Sequence, residues 1–137
     1  MSRPRPARSS SRRQRDDRGS ATIELLILLP ALFAVMFVGM QAALFYHART
    51  VAIAAAQEGA RAAGGEQGSE AAGLQAANAF VEDAGGDDVL TGATASADRT
   101  ATTATVVVRG HSLSVIPGWS PVVRQEATVP VERLTTP

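Results

Sequence analysis

From Leu25 to Tyr46 the chain reads LLILLPALFAVMFVGMQAALFY, 22 residues without a formal charge. A helix of that length, at ~1.5 Å per residue, covers ~33 Å, enough to cross a hydrocarbon core of ~30 Å. The alternative is a core helix of a soluble fold, which needs large apolar residues elsewhere to surround it. The rest of the chain supplies few of them: beyond residue 63 the only aromatics are Phe80 and Trp119. The run is therefore read as a single membrane span over 25–46. A total of 137 residues leaves room for at most one small domain beside it.

Charge orients this span. All 13 basic residues are arginine, and the 13 acidic residues balance them only in sum. Residues 1–19 hold seven arginines against Asp16 and Asp17, a net of +5, and the remainder carries −5. Residues 1–18 have almost no apolar surface and are expected to be disordered. Such an arginine cluster can attract nucleic acid or anionic lipid. Placed directly before a span it reads more simply as the signal that keeps this end in the cytoplasm. The expectation is thus a single-pass protein of the cell membrane, N-terminus cytoplasmic, C-terminus extracytoplasmic, with no nucleic-acid partner. Ser11-Arg12-Arg13 hints at a twin-arginine export signal, but Gln14-Arg15-Asp16-Asp17 is charged where that signal turns apolar.

The helix is expected to start near Ser20 or Thr22 and to continue past the membrane to residue 63. Tyr46, His47 and Arg49 suit the outer interface. Ala48, Ala52, Ala56, Ala60 and Gly64 recur every fourth residue, and Gly39 and Ala43 form a further small pair within the span. Such stripes let helix backbones approach closely, so Gly39, Ala43, Ala52, Ala56 and Ala60 are candidate helix-packing positions. The plainer explanation, that alanine is simply abundant here, stays open. Glu58 and Arg61 are spaced for an ion pair.

Residues 64–137 read as a small extracytoplasmic α+β domain. Gly64-Gly65-Glu66-Gln67-Gly68 breaks the long helix, Ser69 can cap a second one running to about Ala84, and Gly85-Gly86 ends it. Val89–Ala97 reads as a weak strand and Thr102–Arg109 as a stronger one. Leu113–Ile116 is a short apolar stretch before a turn at Pro117-Gly118, and Val122–Val131 is a last strand with Pro130 at its end. The fold class is α+β: a long N-terminal transmembrane helix, one shorter helix and a small antiparallel sheet.

Little in the chain points to catalysis. Cysteine is absent, which excludes thiolate ligands and a cysteine nucleophile. His47 and His111 lack metal-ligand spacing. Asp98, His111 and Ser112 supply the residue types of a triad without a nucleophile elbow, and Gly64–Gly68 is too short for a phosphate loop. Neither an enzyme nor a cofactor or metal is expected.

The informative motif stands at the membrane entry: Arg18-Gly19-Ser20-Ala21-Thr22-Ile23-Glu24, then the apolar run. A carboxylate at the edge of a span is costly unless it is paired or stays at the interface. One reading leaves Glu24 at headgroup level, complementing the helix dipole. Another has the chain cut between Gly19 and Ser20, which makes Glu24 the fifth residue, one turn from a new terminal ammonium.

Glycine, cleavage, glutamate at new position five and an apolar helix resemble the prepilin leader of type IV pilins and pseudopilins. Within that group, GSATIELLILLPALF, with Pro30 six residues beyond Glu24, and the alanine-rich ARTVAIAAAQEGARAA are similar to the TadE-like pilus-assembly family of the tight-adherence (Tad/Flp) system. Leu25 stands where that family often has an aromatic. The resemblance covers roughly residues 18–63. It implies a pseudopilin-like subunit with Gly19 and Ser20 as cleavage site and Glu24 as assembly carboxylate. The implied partners are a prepilin peptidase, other pilus-assembly proteins or pseudopilins, and the lipid bilayer. A pseudopilin of a secretion machine and a signal-anchored envelope binding protein are the competing readings.

Overall fold

The computed structural model describes residues 13–133, with side chains from Gly19 onward. The chain divides into two units, Met1–Val38 and Gly39–Pro137. The first contributes the N-terminal part of helix α1, which spans Arg13–Gly64. The sequence placed its start near Ser20 or Thr22; residues 13–19, assigned to a disordered leader, are helical instead. Their arginines and glutamine are good helix formers, and no proline lies between Pro6 and Pro30 to break the turns. The disorder expected for residues 1–12 lies outside the described residues. Pro30 is inside α1 and does not end it.

The second unit continues α1 and adds helix α2 (Glu70–Asp83), a short 3-10 turn (Gly86–Asp88) and strands β1 (Leu90–Arg99), β2 (Thr103–Ser112) and β3 (Val122–Pro130). The strands form one antiparallel sheet in the order β1-β2-β3. The chain is α+β, as its residue pattern predicts. Ser69 caps α2 as expected: its Oγ accepts the Ala72 N–H at 3.0 Å. The Glu70 carboxylate in the first turn accepts the Arg99 N–H at 3.0 Å, fastening α2 to the end of β1. The apolar stretch Leu113–Ile116 belongs to the loop between β2 and β3.

Alternation along β2 makes the core. Ala104, Val106, Val108, Gly110 and Ser112 are buried, while Thr103, Arg109 and His111 are exposed. Against the buried face lie Ala48, Ala52, Ala55, Ala56, Ala60 and Ala63 of α1 and Ala77 and Val81 of α2. The contact is very close where the helices meet. A Cβ placed on Gly59 would stand 2.8 Å from the Gly73 carbonyl oxygen and 3.0 Å from the Ala77 Cβ. One placed on Gly73 would stand 2.8 Å from the Ala63 Cβ. The two glycines permit this crossing, because any side chain would push the backbones apart.

The stripe through Ala52, Ala56 and Ala60 is therefore occupied within the chain. These residues are fully buried against the chain's own α2 and sheet, where the sequence reading offered them to other helices. The outward face of the sheet is polar, with the Thr105 and Thr128 hydroxyls 2.9 Å apart and an Arg124–Glu126 pair at 3.2 Å. Glu58 and Arg61 pair at 3.0 Å, but both side chains are well exposed, so the pair adds little stability.

Candidate membrane and assembly segment

Every residue from Gly19 to Met40 is exposed. Within this stretch, Leu26, Ile27, Val35 and their neighbours from Ile23 to Met40 present large apolar side chains around the whole helix. At roughly 25 cal/mol per Å² of apolar surface, such a helix is strongly driven out of water. It is long and apolar enough to cross a membrane, and it lies near the N-terminus. It is a candidate single span.

Gly19, Ser20 and Glu24 open this stretch on exposed turns of α1. Ser20 and Glu24 are four residues apart, so they share one helix face a single turn apart. A Cβ on Gly19 would meet nothing within 4 Å. Its lack of a side chain therefore serves no packing need in this chain. The bond between Gly19 and Ser20 lies inside helix α1.

The candidate packing residues divide between two environments. Gly39 and Ala43 are exposed, and a Cβ on Gly39 also meets nothing within 4 Å. Ala52, Ala56 and Ala60 are enclosed in the folded unit. Of these five candidates, Gly39 and Ala43 are the two left free for close packing with another helix among the described residues.

One residue that ties the unit together escaped the sequence reading. Gln41 is only 3% exposed. Its Nε2 donates to the Leu113 carbonyl at 3.2 Å, and its Oε1 accepts from the Ser114 hydroxyl and the Val115 N–H, each at 3.0 Å. Gln41 is thus a three-bond clamp between α1 and the β2–β3 loop. The signal was present: it is the only polar side chain between Leu25 and Phe45. Leu44 and Phe45 are half-buried, and Phe45 packs on the core. The outer end of the span, placed at Tyr46 from the sequence, therefore overlaps the folded unit. The uncovered apolar run is Leu25–Met40, 16 residues or ~24 Å of helix.

Neither histidine lies in a metal-ligand cluster, and the described residues contain no group of three or more metal-ligating side chains. His111 and Ser112 are neighbours on β2 and face opposite sides of the sheet, His111 exposed and Ser112 buried. They do not converge with Asp98.

Residues 19–61 match the family model of TadE-like proteins. The match starts at Gly19, passes through Glu24 and the exposed apolar helix, and stops in the alanine-rich part of α1 before α2. It is the same family, from the tight-adherence pilus system, that the motif around Gly19 and Glu24 resembles. No curated protein and no solved structure matches the chain.

Proposed function

From the TadE-like character of residues 19–61, we propose that this protein is a pseudopilin-like, single-span membrane subunit that takes part in assembling a Tad/Flp-type adhesion pilus. The observation that carries the reading is Gly19, Ser20 and Glu24 at the entrance of an apolar helix that nothing among the described residues covers. The role is structural rather than catalytic.

In this reading the seven arginines before Gly19 hold the leader in the cytoplasm. A prepilin peptidase cuts after Gly19, where no side chain obstructs its site. Removal of residues 1–19 takes away a net +5 and leaves one ammonium on Ser20. That ammonium and the Glu24 carboxylate, or the Glu24 of a neighbouring subunit, neutralise each other. Pairing lowers the cost of carrying both groups into a packed bundle of membrane helices. Gly39 and Ala43 give such a bundle a place for close approach.

Two substitutions separate processing from assembly. Both sites are exposed, so neither change disturbs the folded unit. Gly19→Leu blocks the cut, read as the intact mass of the membrane-bound form. Glu24→Ala permits the cut but lowers recovery of the protein in assembled pilus complexes. A wild-type chain that keeps its first 19 residues beside an active prepilin peptidase overturns the pseudopilin reading and returns the signal-anchored envelope protein. Protease added to protoplasts tests the orientation: it should digest the sheet unit and spare the N-terminus.

A further inference from the structure

The β2–β3 loop is unlike the rest of the sheet unit. Residues 112–123 read SLSVIPGWSPVV and carry no charge, and Arg109, His111 and Arg124 flank them. Leu113, Trp119 and Val122 are exposed large apolar residues, Trp119 at 52% and Val122 at 66%. The loop is nevertheless held firmly. Ser112 N–H donates to the Pro121 carbonyl at 3.0 Å, Ile116 N–H donates to the Ser114 hydroxyl at 3.0 Å, and Gln41 adds its three bonds.

Its place along α1 is also defined. Ala104, at the start of β2, lies beside Gly64 at the far end of α1. At the other end of β2, Leu113 lies beside Gln41. The strand therefore runs antiparallel to this part of α1, and the loop sits at the level of Gln41, next to Met40, where the uncovered apolar run ends.

We propose that the β2–β3 loop and the adjoining start of β3 form a second membrane contact: Leu113, Trp119 and Val122 seat in the headgroup layer of the leaflet from which α1 emerges, with Gln41 holding the loop at that depth. The occupant is lipid because the loop is held to Gln41, the residue that follows Met40, the last exposed apolar residue of the run. Tryptophan in particular favours the headgroup level, where its ring is half in apolar surroundings and its N–H stays wet. Arg109, His111 and Arg124 flank the uncharged segment as basic residues flank other interfacial anchors. The proposal rests on the reading of α1 as a membrane span.

Trp119 is the only tryptophan, so the wild-type chain reports on itself. Full-length protein is reconstituted into phosphatidylcholine vesicles whose acyl chains are brominated either near the headgroup or near the terminal methyl. A second chain, Phe33→Trp with Trp119→Phe, reports on the middle of the span. Wild-type emission should be quenched roughly twofold more by the shallow bromines than by the deep ones, with the Phe33→Trp reporter showing the reverse order. If the reporter is quenched by lipid and the wild type is reached only by acrylamide, the span stands and the loop contact is overturned. Wild-type emission shielded from both quenchers overturns it as well, and assigns the loop to a contact between subunits. A reporter untouched by lipid overturns the span itself, and the loop contact falls with it.

Discussion

The two halves of α1 obey opposite rules. From Gly19 to Met40 the residues are mostly large and apolar, and all are exposed. From Gln41 to Gly64 the inward residues are mostly alanine and glycine, and they are buried. Burial along α1 follows smallness rather than hydrophobicity. A close helix crossing under a sheet has room for methyl groups and little more. The large side chains need a surrounding that accepts them without interlocking, which lipid tails do.

This contrast is tested hardest at the helix crossing. Gly59→Leu or Gly73→Leu forces a side chain into backbone and Cβ atoms about 3 Å away. Either change should cost 3 kcal/mol or more, at the upper end of overpacking effects, and abolish the cooperative thermal transition of the sheet unit in micelles. Gly39→Leu, on the exposed part of the same helix, should leave that transition in place. A Gly59→Leu chain that melts like the wild type would refute the tight crossing.

Ala56→Leu and Ala60→Leu come next, at about 1–3 kcal/mol each. Their effect should appear as a lower melting temperature, whereas Ala34→Leu in the exposed half should be neutral. If Ala56→Leu instead leaves stability intact and weakens crosslinking between subunits, the stripe serves partners and not the chain's own core.

Gln41→Leu removes the amide where the halves join. It leaves the Leu113 carbonyl and the Val115 N–H without their partner, at about 1–3 kcal/mol. Hydrogen exchange at Val115 should accelerate while the amides of Val106 and Val108 stay protected. The smallest effect belongs to Ser112, whose hydroxyl is buried without a hydrogen-bond partner among the described residues. Ser112→Ala should leave stability unchanged or raise it by up to about 1 kcal/mol, measured by chemical denaturation.

Much of this architecture was legible in the residues. The uncharged run, the Ser69 cap and the valine–threonine alternation each express a local rule, and local rules need no knowledge of the tertiary fold. The alanine stripe announced close packing but not its partner, because small residues suit a neighbouring helix and a sheet equally well. Gln41 stayed silent for a related reason: its partners lie 72 to 74 residues further along the chain. The resemblance carried by the motif around Gly19 and Glu24 lies where the family match begins, while the helical state of residues 13–19 was hidden behind a charge pattern typical of disorder.

The alanine core has a thermal consequence. The heat capacity change of unfolding grows with the apolar area that becomes hydrated, and for ordinary domains it is about 12–15 cal/mol/K per residue. A core built mainly of alanines and valines, with Leu90 its one fully buried leucine among the described residues, hydrates less apolar area when it opens. The sheet unit should therefore fall below that range and show a shallow stability curve, with its free energy of unfolding changing little between cold and warm surroundings. The unit would keep its shape across a broad span of temperature on a modest total stability.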